Sequence, residues 1–166
     1  MEFFEHQPLA RFSIHTYLQQ QILERTSAEL CELLDNAFIA GRCVSASSIN
    51  EVYGQFWLWT LGAYEMVRTM EQHKSCFSPQ YAEELLAAKQ RLATLRMPFA
   101  KQELKGRRRS ALNAEASIAQ VDATRRDAAF IIDGEHYWIR VELEQFQQLL
   151  DCASTENVLR PMGSRG

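Results

Sequence analysis

The densest grouping of charged side chains in this sequence is Lys101, Lys105, Arg107, Arg108 and Arg109, diluted only by Glu103. Cations crowded onto a loop neutralise several phosphates at once, so nucleic acid or an acidic partner is the chemistry they would serve. No aromatic residue is interleaved between Lys101 and Arg109 to stack bases, and the same run also has the composition of a solvated linker. A second grouping, Tyr64, Glu65 and Arg68, interrupts an apolar stretch beside Trp57 and could line a pocket for a small polar ligand. Glu65 and Arg68 are three apart and can equally pair on a helix surface, a contact worth only about 0.2–0.5 kcal/mol. His73 and Cys76 offer two soft metal ligands, with Cys43 as a third, but a structural zinc site takes four and no fourth is evident. Nor does any segment carry the Glu-x-x-His spacing of di-iron bundles, so neither metal nor cofactor is expected.

Arg68-Thr69-Met70-Glu71-Gln72-His73 places arginine and histidine at an R-x4-H spacing. In this the segment resembles the HEPN-type ribonucleases, all-helical dimeric domains. The resemblance implies His73 as general acid or base on a ribose 2′-hydroxyl or leaving oxygen. Arg68 would stabilise phosphate charge, and two protomers would converge on one cleft. It covers these six residues only, and it departs from the family at Thr69, where a polar Asn, Asp or His usually follows the arginine. At a helix end, His73 and Lys74 also suit the negative pole of the dipole. There is no G-x-G-x-x-G, G-x-x-x-x-G-K or G-x-S-x-G, and with seven glycines the chain has little material for phosphate-cradling loops.

The elements that must position these groups follow from apolar periodicity. Between Phe12 and Ile39, the residues Ile14, Tyr17, Leu18, Ile22, Leu30, Leu33, Leu34, Ala37 and Phe38 recur at helical spacing, and Gly41 is placed to close that helix. Ser48-Ile49-Asn50-Glu51 matches a capping box, which predicts a second helix to about Gln72 with Val52, Phe56, Ala63 and Val67 on its core face. Its opposite side carries Gly54, Leu58, Leu61 and Gly62 where charges are expected, with Glu65 and Arg68 at the margin. A glycine inside a helix costs up to about 1 kcal/mol against alanine, so two of them predict close approach by another backbone, from this chain or a second copy. Ser78-Pro79 starts a third helix, through Tyr81, Leu85, Leu92 and Leu95, which Pro98 is expected to stop.

After a basic loop over 101–113, Ala128 to Ile132 and Glu135 to Val141 flank Asp133-Gly134, the pair that favours a two-residue type I′ turn. That register sets Phe130 against Tyr137 and Ala128 against Ile139, with Ile131, His136, Trp138 and Arg140 on the other face. Ser117 to Asp122 is a candidate third strand, and Glu142 to Cys152 a last short helix. The expected fold is therefore mainly α: an antiparallel three-helix bundle over 11–98, then a β-hairpin or three-stranded meander and short helix over 117–152. Residues 1–153 form one domain, followed by a disordered tail over 154–166.

A chain of 166 residues, 46% hydrophobic, buries a core without staples, and its net charge of −3 leaves charge-driven partners to local patches. Cys31, Cys43, Cys76 and Cys152 form no C-x-x-C pair, which predicts neither a disulfide framework nor a zinc knuckle and suits a reducing cytoplasm. Met1 to His6 is acidic rather than signal-like, and the apolar stretch from Phe56 to Ala63 is far short of the roughly 20 residues a membrane span needs. With no catalytic constellation outside the R-x4-H match, the expected function is a non-catalytic binding or assembly module. Its expected partner is a second copy of itself or another protein, with a HEPN-like metal-independent ribonuclease and nucleic-acid binding as the alternatives.

Overall fold

The computed structural model describes residues 7–39, 41–43, 45–106 and 109–164. These are mostly helical, with a small three-stranded antiparallel sheet towards the C-terminus. A short helix precedes the first predicted one, and Ser13 separates the two. Its extended backbone ends α1 (Pro8–Phe12), and its hydroxyl accepts the Thr16 amide at 3.4 Å to cap α2 (Ile14–Ala37). The core side of α2 is Leu23, Leu30 and Leu34. Ile14, Leu18 and Ile22, expected on that same side, lie roughly 140° round the helix at 100° per residue and face outward. The helix carries two apolar stripes, and the neighbouring helix covers one.

Gly41 does not cap α2. It sits at φ +72 in the turn of a two-stranded hairpin, β1 (Phe38–Ile39) and β2 (Arg42–Cys43), where only glycine escapes steric cost. The next helix, α3 (Ala46–Gln72), begins one turn ahead of the expected capping box because Ser45 accepts the Ser48 amide at 3.1 Å. A 3-10 turn (Lys74–Cys76) leads to Ser78 and Pro79, which open α4 (Pro79–Lys101) as expected. Pro98 does not stop α4. It removes one backbone donor, but its ring is buried, and the helix runs on until left-handed Gln102 returns its amide to the Pro98 carbonyl at 3.1 Å.

The sheet has the order β3 (Gln120–Asp122), β4 (Asp127–Ile132), β5 (Glu135–Trp138). Asp133 and Gly134 both have positive φ, as a type I′ turn requires, and Phe130 pairs with Tyr137. Ala128 does not reach Ile139: pairing stops at Ala129 with Trp138, because Ile139 opens α5 (Ile139–Asp151). The buried Asp127 carboxylate accepts the Arg140 amide at 3.3 Å, capping α5 from the neighbouring strand and turning the chain into the helix.

Helix α3 packs on α2 and on α4. Phe130 carries the sheet onto this layer, stacking on Phe56 at 5.5 Å and meeting Phe99 edge-on at 5.0 Å, and Phe146 brings α5 to Trp59 at 5.2 Å. Residues 154–164, read from the sequence as a tail, return across the helical layer. Val158 is fully buried and bridged to Phe77, Ser78 donates its amide to the Asn157 carbonyl at 2.9 Å, and Met162 donates to Phe12 at 2.8 Å. Periodicity does not reveal such a strap, because one buried valine anchors it. Among the described residues, no helix is long and apolar enough to cross a membrane.

Candidate functional site

Among the described residues, none covers one face of the α2–α3 layer. On α2, Ile14, Leu18 and Ile22 form a ridge at i, i+4, i+8, with 50%, 53% and 54% of their surface exposed. On α3, Leu58 is 61% exposed, and Leu61 beside it is half-buried. Between the two helices runs a groove of about 440 Å³, lined by Ile22, Leu23, Thr26, Leu58, Trp59 and Gly62 among others. The space beside Gly62 is tight: a Cβ would stand 3.2 Å from Leu23 Cδ2, and that side chain would have to give by a few tenths of an ångström. The close approach is thus made by a side chain rather than the expected backbone, and at Gly54 the space beside the helix is open.

Tyr64, Glu65 and Arg68 meet at the α3–α4 seam with Arg96, which sequence reading missed. The Glu65 carboxylate lies between Arg68 at 3.0 Å and Arg96 at 3.6 Å, and the Arg96 guanidinium covers the Tyr64 ring at 4.7 Å. Arg96 lies between Leu92 and Pro98 on the buried side of α4, and that placement was the available signal. Two guanidinium groups share one carboxylate, so the cluster is a seam clamp with one net positive charge, and its aromatic face is already occupied.

Arg68 and His73 are not brought together within the chain. Five residues of α3 set them roughly 140° apart. Arg68 holds Glu65, while His73 Nδ1 lies 2.9 Å from the Thr69 carbonyl and the ring meets Phe12 edge-on at 6.3 Å. A carbonyl only accepts, so Nδ1 carries the proton. Cys76 is buried with its thiol towards the Pro161 carbonyl, whereas Cys43 lies at the opposite end of α3. Among the described residues, no group of three or more His, Cys, Asp or Glu side chains could hold a metal ion.

The basic loop is anchored more than its sequence suggests. Leu104 is buried, Glu103 bridges Ser110, and Lys105 donates to the Gln90 carbonyl at 3.1 Å, while Lys101 is exposed in the last turn of α4. Arg109 forks onto Glu115 at 2.9 and 2.8 Å. Those bonds, with the backbone amides of Leu112 and Asp133, hold the Glu115 carboxyl down to about 2. The loop is thereby tied to the hairpin turn, and Arg109 is neutralised. Arg107 and Arg108 lie outside the described residues.

A second charged pair joins α4 to α5. Arg91 donates through Nε and Nη2 to the buried Glu142 carboxylate, at 2.8 and 2.5 Å, with its guanidinium over the Tyr137 ring at 5.0 Å. Burial pushes the Glu142 carboxyl up, and Arg91 opposes the shift. No family model, curated protein or solved structure matches this chain.

Proposed function

We propose that the chain is a non-catalytic assembly module acting as a homodimer in a reducing cytoplasm, with three antiparallel helices as its frame. The observation that carries this reading is the uncovered apolar face of α2 and α3. Contact partners run in opposite order along α2 and α3, with Leu23 at Gly62 and Ser27 at Trp59. They do so along α3 and α4 as well, with Glu71 at Lys89, Glu65 at Arg96 and Phe56 at Phe99. Ridge and groove therefore lie side by side, and a two-fold rotation can seat the Ile14–Leu18–Ile22 ridge of one copy in the groove of the other. Fully burying a leucine or isoleucine contributes about 1.5–3 kcal/mol relative to leaving it exposed, and a two-fold axis doubles every such contact.

Sedimentation velocity of the wild-type chain should give twice the chain mass. Leu58→Glu combined with Ile22→Glu should give the monomer with unchanged far-UV circular dichroism, because both side chains are already outside the core. A monomeric wild type, or a double variant still dimeric, would overturn the reading.

The ribonuclease alternative rests on Arg68 and His73, both engaged in contacts within their own chain. If the chain cleaves RNA through them, His73→Ala abolishes cleavage of a structured RNA while the protein stays folded. The expected result is no cleavage by either form.

A further inference from the structure

The cleft between α4 and α5 lies on a different helix pair from the proposed interface and needs no second copy. Its volume is about 430 Å³, within the range of small-molecule sites, and Ala88, Leu92, Phe146 and Leu149 supply an apolar floor. Charge decides what such a floor would take. At one end Glu142 is already paired, with two Arg91 donors on its carboxylate. At the other end is Glu84, with which no cation pairs among the described residues; the Cys152 thiol lies against it. At that end α5 stops where α4 starts, so the poles of the two helices offset each other and the Glu84 carboxylate is the charge that remains. Asp151 adds a carboxylate next to Cys152, and Gln145 and Gln148 line the rim as neutral polar groups. An anionic ligand would find the cleft's arginine engaged and a carboxylate facing it.

We propose that this cleft binds a small amphiphilic amine, its hydrocarbon body on Leu92, Phe146 and Leu149 and its ammonium group at Glu84. Nothing covalent is involved. Affinity rises with chain length through burial on the floor, and the head group is selected by the unpaired carboxylate. Cys152 is an exposed neighbour at the rim, where partial desolvation and the Glu84 carboxylate push its thiol up.

The test is an NMR titration of the full chain with hexylamine, octylamine and octanoate, following the leucine methyls. Octylamine should shift the Leu92 and Leu149 resonances and bind tighter than hexylamine by about fourfold per added methylene. Octanoate should bind more weakly than octylamine. Glu84→Gln, a change at the rim that leaves the core untouched, should lower the octylamine affinity by about two- to fivefold and narrow the gap between the two head groups. Equal affinity for amine and carboxylate, an amine affinity unchanged in Glu84→Gln, or no methyl shift with octylamine would each overturn the proposal.

Discussion

Replacing Phe130 with alanine is expected to destabilise the fold by about 3–5 kcal/mol. Phe130 is fully buried and contacts Tyr53, Phe56 and Phe99 with ring centroids 6.1, 5.5 and 5.0 Å away. It is the aromatic link between the sheet and the α3–α4 pair, so truncation opens a cavity at a joint between layers, where neighbours cannot all collapse inward. Urea unfolding followed by tryptophan fluorescence measures the loss. A change below about 1 kcal/mol would mean that the sheet is not docked through this side chain.

Arg91→Met should cost about 2–3 kcal/mol at neutral pH. Breaking a buried ion pair typically costs about 3–5 kcal/mol, and the lower figure reflects the screening of a guanidinium that is 40% exposed while its partner Glu142 is 2% exposed. The cost arises because methionine fills the space but leaves the Glu142 carboxylate without a counter-charge. The pH dependence follows from the direction of the Glu142 shift. Its folded-state carboxyl titrates above the unfolded one even with Arg91 in place, so the folded state holds the proton more tightly, and stability falls as pH rises through that window. Without Arg91 the folded value climbs further. The difference between variant and wild type should therefore shrink as pH drops towards the unfolded carboxyl value and Glu142 becomes neutral in both. Chemical denaturation at several pH values tests this, and a pH-independent difference would assign the loss to packing alone.

Local signals were legible wherever the physics is local. Asp133 and Gly134 specified the hairpin turn and its register, because few residue pairs tolerate two successive positive φ angles. Ser78 and Pro79 marked the start of α4 in the same way. Where two local solutions were available, neighbours chose. Ser45 took the cap from Ser48, and burial of the Pro98 ring let α4 outrun its proline.

By itself, then, the sequence determined the mainly helical class, three long helices and the antiparallel hairpin, through periodicity and turn chemistry that act over a few residues. The tertiary structure alone decided which apolar stripe of α2 is core and which is surface, since Leu23 and Ile22 look alike until α3 packs on one side. It alone brought Arg96 to Glu65, Arg91 to Glu142 and Asp127 to the start of α5. Those partners are 31, 51 and 13 residues apart, and a charge shows no preference for a partner until folding removes the water that screens it from all of them.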